Sequence, residues 1–196
     1  PHRQPMASFH PLPYPPLSRL SPWPIMHPLE PLTADELRHA VSLLRESGKV
    51  TPTTRFISVS LKEPAKEKVH AGAETHRAAF AVLFDNATNS CFEAAVCLHH
   101  KKVIAWRHVP GVQPTMTADE MIECEQAVLN DPTFRAKLKE QYGIEDTSLV
   151  MVDIWSAGNY GEAEESAMRL ARPLCFVRAD PTDNGYVRPI ERLRPV

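Results

Sequence analysis

Thr33-Ala34-Asp35-Glu36-Leu37 returns 84 residues later as Thr117-Ala118-Asp119-Glu120-Met121. Both stretches are capping boxes. The threonine hydroxyl can accept from the amide three residues on, and the glutamate can reach back to the threonine amide, so each marks a helix start. After the first box, Leu37, Ala40, Val41 and Leu44 recur at helical spacing on one apolar face, and Gly48 supplies the stop. The period then changes to that of strands. Arg55 to Leu61, Ala78 to Phe84, Cys91 to Leu98 and Val103 to Val109 are β-type runs, and Asp85-Asn86-Ala87-Thr88-Asn89 and His99-His100-Lys101-Lys102 are suitable hairpin connections. After the second box, Met121, Cys124 and Val128 form the helix face. Asp131-Pro132 opens a further helical segment through Leu138, and Tyr142-Gly143 ends it. Strands are predicted at Leu149 to Trp155, Pro173 to Arg178 and Tyr186 to Ile190, with Glu162 to Leu170 as a solvated loop or short helix.

The pattern predicts an α+β chain of two like units, 28–112 and 113–196, each a helix packed on an antiparallel sheet, with Pro110 to Pro114 as the linker. A unit of about 80 residues buries only some 60% of its unfolded surface. The two are therefore expected to lean on each other or on a further domain. Ahead of them, residues 1–27 read as a Pro-rich extended or disordered arm, since ten of the first 32 residues are proline, which fixes φ and removes a donor. Such an arm either lies along its own protein or displays a polyproline ligand.

Composition narrows the function. With 43% hydrophobic and 23% charged residues, the 196-residue chain has the make-up of a globular protein, not of a disordered or membrane-spanning one. A net charge of −2 provides no broad cationic field, so neither nucleic acid nor a membrane is an expected partner. Seven glycines against 19 prolines, with no G-x-G-x-x-G and no Walker lysine, speak against a phosphate-binding loop. Cys91, Cys97, Cys124 and Cys175 form no C-x-x-C pair and sit in apolar runs, as buried small hydrophobes do. No positively charged start precedes an apolar run at the N-terminus, so a cytoplasmic or organellar location is expected. The chain starts at Pro1 and reads as a fragment.

A complete catalytic constellation is not visible. The nine histidines offer neither H-x-H nor H-x-x-x-H spacing, so no metal ligation within the chain is expected. His99 and His100 read as hairpin residues, His70 and His76 as lying in a mixed, loop-like segment, and His108 as a strand-face residue. Ser156 has no positioned triad partner, Glu164-Glu165 reads as a solvated face, and Asn86-Ala87-Thr88 reads as a turn and not as a glycosylation site.

One order of motifs is specific. Pro114-Thr115-Met116-Thr117, Glu123-Cys124-Glu125-Gln126-Ala127-Val128, Leu149-Val150-Met151-Val152-Asp153-Ile154-Trp155-Ser156-Ala157-Gly158 and the closing block from Leu174 to Glu191, together with His27-Pro28-Leu29-Glu30-Pro31-Leu32-Thr33, closely resemble the N-terminal small domains of copper amine oxidases. The resemblance spans residues 27 to 196. It implies two small cystatin-like domains, N2-like and N3-like, preceding a catalytic β-sandwich that this chain lacks. It implies a homodimeric parent that oxidises small primary amines with copper and topaquinone, located in the cytoplasm or peroxisome. The chain's own C-terminal catalytic domain would be its partner.

The family's cofactor tyrosine lies in Asn-Tyr-Asp/Glu-Tyr. Asn159-Tyr160-Gly161 lacks the acidic residue and the second tyrosine, and the copper-binding His-x-His is absent, so this chain is expected to bind no cofactor and to carry no catalytic residue. By position in the matching motifs, Met121, Trp155 and Tyr186 are expected near the channel through which amines enter; as packing anchors Trp155 and Tyr186 would serve the core or a domain interface instead. The alternative function is a free-standing cystatin-like binding or scaffold module. The Gln-x-Val-x-Gly hairpin of cystatin-type inhibitors is absent, and Gly111-Val112-Gln113 runs in the wrong order.

Overall fold

The structure, a computed structural model, describes residues 27–72, 75–158, 160–166 and 168–191. The Pro-rich arm expected over residues 1–27 lies outside these residues except for His27. Among the described residues, 27–30 with 63–72 and Thr75 form a body of their own. Its described parts are a turn closed by Glu30 N donating to His27 O at 2.8 Å and a short helix, α2 (Lys66–His70).

Everything else forms a second body, built on two antiparallel sheets. Helix α1 (Ala34–Glu46) is followed by β1 (Thr54–Leu61), β2 (Ala78–Asp85), β3 (Ser90–Cys97) and β4 (Lys102–Val109), a meander in the order β1-β2-β3-β4. The unbroken apolar run in β2 belongs to an inner strand. Ala79, Ala81 and Leu83 pair with Val96, Ala94 and Phe92, and all but Phe92 are fully buried under Ala40 and Leu44 of α1. Alanines at the helix–sheet contact let the backbones approach closely. Leu37 and Val41, expected on the same face, are half-buried at its flanks. The predicted turn at residues 86–89 is held by Asp85, whose carboxylate accepts from Thr53 and Thr88 hydroxyls and the Ala87 amide. The Thr53 hydroxyl is the main cause of the lowered pKa of Asp85.

The second sheet differs from the expected copy of the first. Helices α3 (Ala118–Asn130) and α4 (Pro132–Tyr142) precede β5 (Val150–Ser156), a four-residue helix α5 (Ala163–Ser166) and β6 (Ala171–Val177), and only β5 and β6 pair as full strands. The strand predicted from Tyr186 to Ile190 is a turn followed by a single bridge, Phe176 to Pro189. Proline has no amide to continue a ladder. The flanking residues carry the bonds instead, Val177 N to Arg188 O at 2.9 Å and Ile190 N to Cys175 O at 2.8 Å. The core holds Phe134 and Leu138 of α4 with Val150, Val152, Ile154, Cys175 and Ile190, and α3 adds Cys124 and Val128. Gly143 closes α4 in the left-handed conformation at φ 65°.

The two capping boxes form as read. Thr33 Oγ1 accepts from Glu36 N at 3.2 Å and Thr117 Oγ1 from Glu120 N at 3.3 Å. Each glutamate also receives an arginine from the approach to a strand. Arg169, just before β6, donates from Nε to Glu120 Oε1 at 2.6 Å and from Nη2 to Oε2 at 2.9 Å, while Nη1 reaches Pro114 O at 3.0 Å. Arg77, just before β2, repeats this on Glu36 at 2.6 and 3.0 Å and reaches Pro31 O at 3.1 Å. The expected leaning of one half on the other is met by two arginines: the Arg169 guanidinium lies 4.6 Å from the Phe84 ring centroid, and Arg55 grips Glu123 at 3.1 and 2.7 Å.

The Arg169 hydrogen bonds hold the Glu120 carboxyl down to about 2, from an ordinary value of 4.5, and both side chains are largely buried, 14% and 10% exposed. A carboxyl lowered on folding stabilises the fold fully above its ordinary value, and that contribution is lost as pH falls from there toward 2. Glu120→Gln is expected to cost about 3 kcal/mol at pH 7 in urea unfolding. The gap from the parent chain should shrink steadily as the titration is repeated between pH 5 and pH 2.5.

Candidate functional site

Strand alternation divides the second sheet into two faces. Val150, Val152 and Ile154 of β5 point into the core with Cys175, so Met151, Asp153 and Trp155 point outward, opposite Phe176, Leu174 and Arg172 of β6. This outer face is apolar and open: Trp155 is 59% exposed and Leu174 43%. Trp155 is not loose, because its indole Nε1 donates to Asp153 Oδ2 at 2.9 Å. Tyr186, 58% exposed, joins the same face by packing edge-on against Phe176 with centroids 5.2 Å apart.

A polar turn fixes the position of Tyr186. Asp183 accepts from Ala179 N at 2.8 Å and from Arg188 Nη1 at 2.7 Å, and Asp180 accepts from Thr182 N at 2.8 Å. Gly185 of this loop lies directly against the flexible Met151 thioether of β5. Trp155 and Tyr186 are therefore brought to one surface. Met121 is not. It sits in the first turn of α3, the helix that covers the opposite, core-side face of the sheet.

Other groups singled out in the sequence occupy chemically quiet positions. A groove of about 440 Å³ between the two sheets is lined by Arg55, Asn86, Glu120, Glu123, Cys124 and Arg169. Its two carboxylates are already bound by the two arginines, which removes them from general acid–base work. Ser156 Oγ accepts from Gly158 N at 3.4 Å, and Glu164 and Glu165 are exposed on α5. All four cysteines are free. Burial pushes the Cys175 thiol up to about 11 and raises those of Cys91 and Cys124, leaving poor nucleophiles at neutral pH. Tyr160 is 73% exposed with the Arg172 guanidinium 5.9 Å from its ring centroid.

The structure also brings together a group that spacing along the chain did not reveal. His76, His99 and His100 offer ring nitrogens that all lie within 4.8 Å of one another. The missed signal was nonlocal: His76 precedes β2 and the other two follow β3, and those strands are paired.

Known proteins resemble the chain in both parts. Residues 33–105 match the family model described as the AGAO-like N2 domain, and residues 119–196 match that of the copper amine oxidase N3 domain. A primary amine oxidase of Arthrobacter sp. (strain P1) is 40% identical over 168 residues, 85% of this chain and 26% of that protein. The peroxisomal N-methylputrescine oxidase 1 of Nicotiana tabacum is 36% identical over 207 residues, 84% of this chain and 26% of that protein. A copper-containing benzylamine oxidase from Hansenula polymorpha shares the fold at a TM-score of 0.64 and 19% identity, covering 84% of this chain and 27% of that one. The chain thus spans about a quarter of the length of these relatives.

The exposure of Trp155 separates a surface role from a packing role. Trp155→Ala is expected to change the unfolding free energy of the chain by no more than about 0.5 kcal/mol. Phe134→Ala, which empties the buried core, should cost about 3 to 5 kcal/mol in the same denaturant titration.

Proposed function

Since the chain belongs to the copper amine oxidase family and carries that family's N2 and N3 domains, we propose that it is the non-catalytic forward portion of a primary-amine oxidase. In the parent enzyme a primary amine, O2 and water would give an aldehyde, ammonia and hydrogen peroxide. Copper and a tyrosine-derived quinone in a downstream domain would supply that chemistry. The two helix-on-sheet modules, cystatin-like in plan, would pack against that domain, in a homodimer of the cytoplasm or peroxisome. No helix among the described residues is long and apolar enough to cross a membrane.

The outer face of the second sheet carries this reading. Trp155, Leu174 and Tyr186 leave large apolar surface in water although Asp153 and the Asp180–Arg188 turn hold two of them in fixed positions. Rigid, uncovered aromatics suit a surface that meets another domain or lines a passage, where they can strip water from an alkyl or aryl amine. We assign Trp155 and Tyr186 to one wall of the amine-entry channel. Met121, on the other layer, would contribute from the α3 side. Arg55, Glu120, Glu123 and Arg169 have a different task, holding the modules in their relative orientation.

The division of labour is testable on the chain itself. Residues 1–196, incubated with Cu2+ and oxygen, are expected to show no quinone staining and no peroxide release with benzylamine or methylamine; either signal would overturn the reading. In the full-length parent, Trp155→Ala and Tyr186→Ala are expected to raise KM for an aryl amine about tenfold with kcat little changed, as loss of uniform binding does. Unchanged KM in both variants would remove the channel assignment and leave a scaffold.

A further inference from the structure

We propose that His76, His99 and His100 form a three-imidazole site for a divalent transition-metal ion of the zinc type, with Cys97 orienting one of the ligands. The backbone builds the cluster. Ala78 pairs with Cys97 in the β2–β3 ladder, and Leu98 N donates to Arg77 O at 3.0 Å, so one step further along each strand sets His76 beside His99. Their rings stack with centroids 4.3 Å apart and planes 7° from parallel. The tight turn that follows, with Lys101 in the left-handed region at φ 51°, carries His100 back toward them. Its ring lies edge-on to both, 4.9 Å from each.

Hydrophobic burial does not explain the grouping, because all three side chains are exposed. Nor does charge. Three imidazoliums at these distances would repel one another, and Lys102 adds to that repulsion at His100.

Cys97 supplies a supporting contact. Its Sγ lies 3.1 Å from His100 Nδ1 and accepts from His100 N at 3.5 Å. A ring N–H donating to sulfur leaves Nε2 with the lone pair, the arrangement in which a partner group fixes the tautomer of a metal-bound histidine. Zinc ligation at about 2.0 Å places nitrogens about 3.4 Å apart, so closing the site from separations of up to 4.8 Å takes small rotations of exposed side chains. The donor set selects the metal. Imidazole suits Zn2+, Cu2+ or Ni2+, whereas Mg2+ and Ca2+ require oxygen ligands that the cluster does not offer. The fourth position would be taken by water.

Calorimetric titration of ZnCl2 into the metal-free 196-residue chain is expected to show one saturable ion, with no heat from MgCl2 or CaCl2. His99→Ala should weaken binding by more than tenfold and Cys97→Ala by about tenfold. His108→Ala, an exposed histidine on β4, should leave binding unchanged. Circular dichroism checks that each variant is folded. In the unaltered chain, Zn2+ should also protect the three imidazoles from diethylpyrocarbonate, a readout that needs no substitution. Absence of saturable binding, equal affinity in the His76→Ala, His99→Ala and His100→Ala variants, or unprotected rings would each overturn the proposal.

Discussion

An arginine laid against the capping glutamate of a helix ties each half of the main body together. The glutamate satisfies the amide at the helix start, and the arginine fork holds both carboxylate oxygens while also bonding the backbone that leads into the helix. Because the arginine stands at the entrance to a strand, one guanidinium fixes lead-in, helix and sheet at once. Lysine could not substitute, since a point charge lacks the planar set of donors that serves carboxylate and carbonyl together. The net energy of such a pair is modest, because desolvation opposes attraction. Its effect on geometry is larger. A helix slipped by one residue would carry the glutamate away from the fork and leave a largely buried charge unpaired. Arg169 extends the constraint further by covering Phe84 of the other sheet.

What could be read from residues alone follows from the range over which each signal acts. Capping boxes and strand alternation are local, so the two helix starts and the four strands of the first sheet fall within about a residue of their expected positions. The arginine partners lie 41 and 49 residues from their glutamates, and no periodicity points to them. The apparent repeat extended the likeness too far. It holds for the cap and its clamp, whereas the second sheet has two strands and a bridge where three strands were expected. Histidine spacing failed for a related reason: a search along the chain looks for neighbours on one element, and this cluster is assembled across a strand pair.

The same contrast separates the two faces of the second sheet. Val150, Val152 and Ile154 are buried on its core side. The outer side has equally apolar residues, so hydrophobicity alone could not assign them. Motif position marked Trp155 and Tyr186; their coming together depends on Phe176 and the carboxylates of the turn, all distant in sequence from Trp155.

A two-stranded sheet with one side in water has a further consequence. The edge of β5 away from β6 meets no strand among the described residues, and it displays Val150-Met151-Val152-Asp153-Ile154-Trp155, a segment with strong β-propensity. On the far side of β6, Pro189 blocks extension of the ladder. Asp153 then acts as gatekeeper, a lone negative charge whose repetition in stacked copies disfavours edge-to-edge growth. The carboxylate that steadies the indole thereby also sits on the open edge strand, where stacking of identical copies would bring like charges together.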